Sequence, residues 1–532
     1  MLFHSYEFLF VFFPLVLLGY GISRRIAVKG ERDNRIKNLP GFFLLLASLA
    51  FYGFGGIEHL PLLLISMAVN YGLCIWMKRD ARPKRILVTG LVFHLGVLCG
   101  FKYLAGGRYL PPALSFYTFT QIAFLAECYR GNVRDIHALS YGLYVTYFPK
   151  MMQGPIALPG ELLPKIQEIS GIAGKTDKTG KADKTDKTGK ADKTDKTGKT
   201  DETGSTAWAG TSGQADWERI FRCLYLFVLG LFKKVLIADT FGSAVNLGYG
   251  ALGGLNSWDG VVVMLSYTLQ LYFDFSGYCD MAMGISGLFG IELPLNFNAP
   301  YQAANILEFW KRWHMTLTGF FTRYVYIPLG GNRRGRARTY LNVLLVFFLS
   351  GIWHGTGVQF LIWGMLHGVL YVVTRGVMES GFWKRIVKSC EKVPALGKRI
   401  AHGVCVLATF LYVNVAWVFF RAPSVQEAVT LLKTITAGKG GRWNWELAGC
   451  FNLDEFWYVI KVLHLDIWQY AHYICMALIL AGALILVFFG RTAVSFVRSA
   501  KPKLIHGLIM AVLFVWSVLS LSGVSSFLYV NF

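Results

Sequence analysis

His354 is the residue whose surroundings in this sequence most favour chemistry. It ends one apolar run, in SGIWHGTG, and a second apolar run begins at Val358. Gly355, Thr356 and Gly357 loosen the backbone between them, and irregular backbone at membrane depth survives only where it is buried or lines a wet cavity. If these runs span a membrane, an ionisable side chain there is a functional candidate, and imidazole takes up a proton near neutral pH. A core histidine with satisfied hydrogen bonds is the alternative.

A second candidate, His314, lies in a basic and aromatic stretch at 305–338. The stretch carries seven Lys or Arg and one acid, Glu308. Asn305 three residues before Glu308 predicts a helix start, and Trp310 and His314, four apart, would share one face of that helix. Because such charge is costly in bare lipid, we expect an interfacial helix or the rim of a cavity open to the cytoplasm. It would bind an anion, such as the phosphates of a nucleotide-containing donor; an ordinary basic loop is the alternative.

Two acids in the apolar stretch 265–290 are further candidates. Asp274 follows an apolar run, and Asp280 comes soon after. Buried carboxylates demand partners, so these acids would orient a histidine, pair with an arginine, or stabilise a helix break near Gly277. Three glycines that follow would let two helices approach closely. They are Gly284, Gly287 and Gly290.

The elements that must position these residues are membrane helices. Of 532 residues, 54% are hydrophobic and 16% are charged, which is too few charges to cover several soluble domains. Apolar runs near the spanning length of about 20 residues recur along the chain. We therefore predict an all-α polytopic membrane protein with about 11–13 transmembrane or re-entrant helices. The predicted spans are 7–23, 40–57, 59–77, 86–105, 113–127, 139–157, 219–238, 258–280, 340–354, 358–376, 401–420, 470–490 and 505–523.

The net charge of +22 is explained by the membrane rather than by nucleic acid. The excess Lys and Arg lie beside apolar runs, at 24–38, 78–85, 384–400 and 491–503, and in the basic stretch that carries His314. Cytoplasmic loops of membrane proteins are enriched in Lys and Arg. Two predicted spans separate 24–38 from 78–85, so we expect both segments to face the cytoplasm.

A polar repeat interrupts the membrane pattern. Residues 175–201 repeat a nine-residue unit, KTDKTGKAD, with nine Lys, six Asp and no large apolar side chain. Such a segment cannot bury apolar surface, so we expect disorder, in a tolerated linker or in a binding tail. We divide the chain into N-terminal transmembrane helices at 1–160, a loop at 161–216, a catalytic core at 217–376 and C-terminal transmembrane helices at 377–532. The last region includes an aromatic segment near 421–468 that we expect to lie against the bilayer.

Other signatures of chemistry are missing from the sequence. The nine cysteines form no CxxC pair, so we expect neither a disulfide framework nor a zinc site. There is no GxxxxGK[ST] phosphate loop and no GxSxG nucleophile elbow. His367 is a lone histidine in an apolar run and a weaker candidate than His354.

At its motifs the chain resembles the membrane-bound O-acyltransferase family, and more narrowly the bacterial branch of alginate O-acetylation membrane subunits. The matching pieces follow family order to about residue 370. They are SFYTFTQIAFLAECYRG, YFPKMMQGPI, LFKKVLIAD, LQLYFDFSGYCDMAMG, LPLNFNAPY, FWKRWHMTLTGFFTRYVYIPLGGNR and SGIWHG. One departure is Glu127, where relatives commonly carry Asp, and the insertion at 175–201 falls between motifs.

The resemblance implies a helical bundle around a central tunnel and an acyl transfer through it. The family's invariant histidine maps to His354 and its second histidine to His314. His354 would deprotonate the attacking hydroxyl, and His314 would assist by positioning or by polarising the thioester carbonyl. The donor would be cytoplasmic acetyl-CoA, with no bound cofactor and no metal. Candidate donor-binding residues are Trp310, Lys311, Arg312, Trp313, Arg323, Trp353 and Asp274.

The resemblance also implies partners and a location. The acceptor would be an extracytoplasmic polysaccharide or cell-wall glycopolymer, with delivery completed by a separate SGNH-type acetyltransferase. The chain would lie in the bacterial cytoplasmic membrane. The alternative is a non-enzymatic transporter or flippase for a polymer precursor, which Asp274, Asp280 and broken helices suit equally well. A structural assembly scaffold, in which neither histidine matters, is a third interpretation.

Overall fold

All regular secondary structure in the described part of the chain is helical. The computed structural model describes residues 1–30, 33–104, 110–133, 135–172, 215–390, 393–442, 444–464 and 470–523. Within these ranges, regular structure consists of α-helices joined by short π- and 3₁₀-helical turns. This confirms the all-α prediction. The repeat at 175–201 lies outside the described residues.

The helices of the N-terminal half are α1 (Phe13–Lys29), α2 (Asn34–Lys37), α3 (Leu39–Gly53), α4 (Leu60–Met77), α5 (Pro83–Cys99), α6 (Leu114–Tyr129), α7 (Ala138–Thr146), α8 (Phe148–Met151), α9 (Pro159–Ile169), α10 (Ala215–Phe232), α11 (Asp239–Gly250) and α12 (Ser257–Leu288). Those of the C-terminal half are α13 (Ile306–Arg312), α14 (Met315–Phe321), α15 (Arg336–His354), α16 (Val358–Glu379), α17 (Gly381–Cys390), α18 (Ala395–Arg421), α19 (Val425–Thr436), α20 (Trp445–Gly449), α21 (Asp454–Val462), α22 (Ala471–Phe489), α23 (Ala493–Ser499) and α24 (Leu504–Leu519). Single π-helical turns occupy Phe8–Phe12, Gly100–Leu104, Lys233–Ala238 and Thr322–Tyr326.

Six helical stretches in the described ranges are long and apolar enough to cross a membrane. They are Phe8–Lys29, Ile57–Met77, Pro83–Leu104, Val358–Glu379, Ala395–Arg421 and Ala471–Phe489. Two shorter apolar helices, α3 and α24, add to them. These stretches support a multi-pass membrane protein. Other predicted spans, such as 113–127 and 258–280, form helices whose residues are buried on nearly every side by their neighbours, as expected for central helices of a bundle.

The predicted span at 139–157 is not one helix. α7 ends at Thr146, and Tyr147 has an extended ψ of 105° that stops it. A one-turn helix, α8, follows, and the chain then runs without regular structure until α9. Pro149 and Pro155 lack the N–H that helix propagation needs, and a Cβ at Gly154 would lie 2.3 Å from the Lys150 Cα. This interrupted segment packs inside the bundle and reaches the candidate site.

The long helix α12 is the central element of the fold. It begins at an Asn256 cap, whose side chain accepts a hydrogen bond from Asp259 N at 2.9 Å. It continues through Gly277, so the predicted break there is wrong. Gly277 serves close packing instead, because a Cβ would lie 2.8 Å from the Gly230 carbonyl of α10. Gly284 packs on α10 in the same way, as predicted, whereas Gly290 lies in a left-handed turn after the helix.

Two apolar cores meet along a seam. One core combines α1, α3–α7, α9 and α10 with the Trp353 side chain. The other combines α11, part of α12, α13, α16, α18 and α22. The α15–α16 hairpin turns at residues 355–357, where α15 ends at His354 and α16 begins at Val358. We call the contact zone of the two cores around this turn the seam.

Candidate active site

His354 is buried at the seam by aromatic rings. It is the last residue of α15, and its side chain is 3% exposed. The ring centroids of Trp353, Trp363 and Phe420 lie 4.5, 4.9 and 5.0 Å from that of His354. We call these three residues the aromatic cage. Trp353 belongs to one apolar core, and Trp363 and Phe420 belong to the other, so the cage joins the cores around the imidazole.

The end of α15 is held by the π-helical turn after α5. Lys102 Nζ donates a hydrogen bond to the Trp353 carbonyl, and the Tyr103 hydroxyl donates to the Ile352 carbonyl. The last carbonyls of a helix have no partner within the helix and carry partial negative charge, so a buried cation is well placed there. Lys102 and His314 both lie close enough to His354 to interact with it electrostatically. Sequence reasoning did not identify Lys102, although a lysine between apolar residues in GFKYL was a signal.

His314 does not lie on the helix face predicted for it. α13 ends at Arg312, Trp313 is extended, and His314 adopts a left-handed conformation with φ 43° and ψ 51° before α14 begins. Trp310 and His314 therefore do not share a helix face, because the spacing rule assumes one continuous helix. The predicted start of that helix is confirmed, since Asn305 Oδ1 accepts a hydrogen bond from Glu308 N at 2.9 Å.

Asn296 and Thr316 hold the turn at His314. Asn296 Oδ1 lies 3.1 Å from His314 Nδ1, 3.2 Å from Thr316 N and 2.9 Å from Thr316 Oγ1. The Asn296 carbonyl accepts a further hydrogen bond from Met315 N at 3.0 Å. Thr316 Oγ1 in turn accepts from Ile156 N at 3.1 Å, which connects the turn to the interrupted segment before α9. His314 is 1% exposed and Asn296 is fully buried.

The weaker candidate, His367, has a structural partner. Trp310 Nε1 donates a hydrogen bond to His367 Nδ1 at 3.4 Å, which is long for this type of bond. The Trp363 ring lies 5.3 Å from the His367 ring and 4.9 Å from the His354 ring, so it separates the two histidines. His367 and Trp310 thus form part of the aromatic packing behind the cage.

Trp313 and Trp353 are also buried in aromatic packing. The Trp313 ring lies 5.0 Å from that of Trp417, which stacks on Trp363 at 5.7 Å. This chain of rings connects the turn at His314 with the aromatic cage. On the opposite side, Trp353 stacks on Phe119 of α6 at 5.1 Å.

The basic candidates divide into one that faces a cavity and two that are paired. A cavity of about 290 Å³ lies between α13–α14 and the α15–α16 hairpin, with Trp310, Lys311, Phe347 and Arg375 among its lining residues. Its walls are largely apolar, and Lys311 is exposed. This combination of apolar walls and a few polar groups is typical of small-molecule sites.

Arg312 and Arg323 are each paired with a carboxylate. Arg312 Nη2 lies 2.5 Å from Glu308 Oε1 on the same helix. Arg323 contacts the buried Glu127 through Nε at 2.8 Å and Nη2 at 2.7 Å. These contacts reduce the charge that either arginine offers to an anion, so Lys311 is the basic candidate best placed for a ligand.

Asp274 and Asp280 pair with adjacent lysines. Asp274 Oδ1 lies 2.8 Å from Lys234 Nζ, and Asp280 Oδ2 lies 2.6 Å from Lys233 Nζ. Lys234 contacts Asp239 as well, at 2.8 Å. Both lysines belong to the π-helical turn between α10 and α11. This geometry favours structural pairing over orientation of a histidine, and the partners are lysines rather than an arginine.

The interrupted segment contributes two buried polar side chains that sequence reasoning assigned no chemistry. Lys150 is 4% exposed, with its Nζ 4.8 Å from the Tyr144 ring centroid and 3.5 Å from Thr120 Oγ1. Gln153 is fully buried. A lysine within an apolar run was the available signal. Across the ranges that the structure covers, no three His, Cys, Asp or Glu side chains are grouped as a metal site would require.

Comparisons with known proteins agree with the motif pattern. The model of the MBOAT, membrane-bound O-acyltransferase family matches residues 257–417. The chain is 34% identical to the peptidoglycan O-acetyltransferase of Helicobacter pylori, over 83% of this chain and 80% of that protein. It is 31% identical to the probable alginate O-acetylase of Pseudomonas aeruginosa, over 80% of this chain and 73% of that protein. A teichoic acid D-alanyltransferase of Bacillus subtilis is 30% identical over 29% of this chain and 40% of its own length.

Proposed function

This chain belongs to the membrane-bound O-acyltransferase family, and we propose that it moves an acetyl group from cytoplasmic acetyl-CoA toward hydroxyls of an extracytoplasmic polysaccharide or cell-wall glycopolymer. The observation that carries the proposal is the convergence of His314 and His354 at the seam of two cores. The two histidines come from separate elements, and a largely apolar cavity lined by Lys311 lies beside α13.

His354 is the proposed general base. It accepts the proton of the attacking hydroxyl while that oxygen forms a bond to the thioester carbonyl carbon. The carbon–sulfur bond then breaks, and the protonated imidazole returns its proton to the leaving thiolate. General base catalysis of this kind contributes roughly 10²–10⁴-fold to a rate. His314 assists by positioning or by polarising the thioester carbonyl.

The donor is proposed to bind at the cavity between α13–α14 and the α15–α16 hairpin. Lys311 lies at its lining and would attract the phosphates of acetyl-CoA. The apolar walls, which include Trp310 and Phe347, suit the uncharged arm that carries the thioester. Arg312, Arg323, Trp313 and Trp353 remain proposed contributors to donor binding. Asp274, the other predicted donor-binding residue, is instead proposed to be a structural support, because it pairs with the buried Lys234.

The acceptor class follows the names of the relatives, a peptidoglycan O-acetyltransferase and a probable alginate O-acetylase. We propose that the chain lies in the bacterial cytoplasmic membrane, with residues 24–38 and 78–85 at the cytoplasmic side. A separate extracytoplasmic SGNH-type acetyltransferase is the proposed partner that completes delivery to the polymer.

Purified protein in vesicles with radiolabelled acetyl-CoA tests the proposal. We expect protein-dependent loss of the thioester and transfer of label to an added glycopolymer or partner protein. A transporter or flippase of a polymer precursor would instead move substrate across the vesicle membrane without thioester turnover. That second result would overturn the acetyl-transfer proposal.

A further inference from the structure

Asn296 holds the turn at His314 by contacts to three consecutive residues. We propose that it is a positioning residue, which fixes His314 in the tautomer with hydrogen on Nδ1 and leaves Nε2 as a bare hydrogen-bond acceptor in the active site.

The Asn296 side-chain atom that faces the turn is its oxygen. An asparagine oxygen and nitrogen are distinguished by their hydrogen-bond partners. Thr316 N is a backbone N–H, which can only donate, and it lies 3.2 Å from this atom. The atom is therefore the oxygen, Oδ1. The nitrogen, Nδ2, then faces Cys279 Sγ at 3.4 Å, and a sulfur is a weak acceptor for it.

The hydrogen of the His314 imidazole lies on Nδ1. Asn296 Oδ1 can only accept, so His314 Nδ1, at 3.1 Å, must carry the hydrogen. A neutral imidazole carries one hydrogen, so Nε2 has a free lone pair. Nε2 is buried and has no hydrogen-bond partner within the described part of the chain. A substrate group with an O–H or N–H would complete it.

The backbone at His314 explains why such a contact is needed. A left-handed conformation is strained for a residue with a side chain, and it persists only where the surroundings impose it. The Asn296 carbonyl accepts from Met315 N at 3.0 Å, directly after the left-handed residue. The Phe275 ring meets the imidazole edge-on at 4.8 Å. Backbone and ring contacts together aim the imidazole in one direction.

The consequence for catalysis rests on the proposed function. A bare Nε2 accepts a hydrogen bond from the attacking hydroxyl and has no hydrogen to donate to a thioester carbonyl oxygen. His314 therefore assists His354 by positioning the hydroxyl and not by polarising the carbonyl. Of the two roles proposed for His314, positioning and carbonyl polarisation, the tautomer is compatible only with positioning.

Nitrogen NMR on the full-length protein tests the tautomer without any activity measurement. The protein is labelled with ¹⁵N-histidine, and the His314 signals are those that disappear in His314→Gln. We expect a protonated Nδ1 and an unprotonated Nε2 in the wild type at neutral pH, and a mixture of tautomers in Asn296→Ala. A wild-type His314 with hydrogen on Nε2 would overturn the proposal.

Kinetics then test the role of the acceptor atom. Asn296→Ala should lower kcat about tenfold or more, with KM for acetyl-CoA within about twofold. A tenfold loss corresponds to about 1.4 kcal/mol of transition-state stabilisation. Asn296→Asp keeps an acceptor oxygen and should retain most of the activity. Its carboxylate stabilises the protonated imidazole, so the acidic limb of its pH–rate profile should move to higher pH.

Cys279→Ala is the matched control, because it removes the Nδ2 contact and leaves Oδ1 in place. We expect near-wild-type kcat for it. Equal losses in Cys279→Ala and Asn296→Ala, or an Asn296→Asp protein as inactive as Asn296→Ala, would contradict a role through the His314 tautomer. Absence of acetyl transfer by the wild-type protein would remove the proposed function but leave the NMR test of the tautomer intact.

Discussion

The α10–α12 interface and the seam are both buried and polar, but they manage polarity in opposite ways. At the interface, Lys233 and Lys234 meet the carboxylates of Asp280, Asp274 and Asp239 at 2.6–2.8 Å. At the seam, the side-chain contacts described for His314 and His354 are with an asparagine and aromatic rings. The lysines and carboxylates at the interface are paired with one another. At the seam, by contrast, the hydrogen bond between Asn296 and His314 Nδ1 leaves His314 Nε2 without a partner among the described residues. We therefore expect substitutions at the α10–α12 interface to change stability and substitutions at the seam to change turnover.

The largest effect should come from breaking the ion pairs. Asp274→Ala leaves a fully buried lysine short of one carboxylate, and the loss of one partner in a buried pair costs about 3–5 kcal/mol. We expect a low yield of folded protein and a melting temperature well below that of the wild type, with normal turnover per folded molecule. A raised KM for acetyl-CoA at unchanged stability would instead show that Asp274 binds the donor, and would contradict a purely structural role for the ion pairs.

A smaller effect is expected at Glu127. This carboxylate accepts hydrogen bonds from Arg323, Arg130, Asn132 and Tyr324, and so ties α6 to the π-helical turn after α14. Glu127→Gln removes the charge and one acceptor, which should cost about 1–3 kcal/mol in thermal or denaturant unfolding.

Glu127→Asp is the control for that variant. It keeps the charge and both oxygens, so it should lie within about 1 kcal/mol of the wild type. Equal destabilisation by Gln and Asp would show that side-chain length rather than charge pairing holds this junction.

The next effect concerns the seam and falls on turnover rather than stability. Lys102→Met removes the donor to the Trp353 carbonyl while keeping a side chain of similar length. We expect kcat to fall about tenfold, the equivalent of one hydrogen bond from a charged group, with little change in melting temperature. Lys102→Arg should restore part of the loss. If Lys102→Met unfolds the protein, Lys102 serves stability, as Lys233 and Lys234 do, and not turnover.

The smallest stability effect is expected at Arg312. Its pair with Glu308 is half exposed and spans one helical turn, which is typically worth about 0.3–0.5 kcal/mol. Arg312→Gln should therefore leave the melting temperature nearly unchanged. Because the folded protein would be equally stable, a rise in KM for acetyl-CoA in Arg312→Gln would show that Arg312 binds the donor. An unchanged KM would show that it does not.

The features of this fold that could be predicted from the sequence are local ones. The helix start at Asn305 and the close approach at Gly284 depend on residues within a turn or on one side chain's size, and both are confirmed. The helix hairpin on either side of residues 355–357 follows from a glycine pair between two apolar runs. Such features require no knowledge of distant contacts.

Long-range contacts set the rest of the site. Lys102 and Trp353 are 251 residues apart, and no periodicity in the sequence links them. Asn296 carries no titratable group, so its contact with His314 escaped a search for acids and bases. The predicted shared face of Trp310 and His314 is wrong because a helix was assumed to continue through a residue that adopts a left-handed conformation.

The role of His354 as the general base is tested most directly by comparing acetyl transfer by His354→Ala and by the wild type in vesicles. The assay uses radiolabelled acetyl-CoA and a glycopolymer acceptor. His367→Gln is the matched control, since it alters a buried histidine behind the aromatic cage and keeps an acceptor for Trp310. We expect acetyl transfer by His354→Ala to fall roughly 10²–10⁴-fold at unchanged protein level and melting temperature, with near-normal transfer by His367→Gln. Normal acetylation by a folded His354→Ala protein would contradict the central claim that His354 is the base.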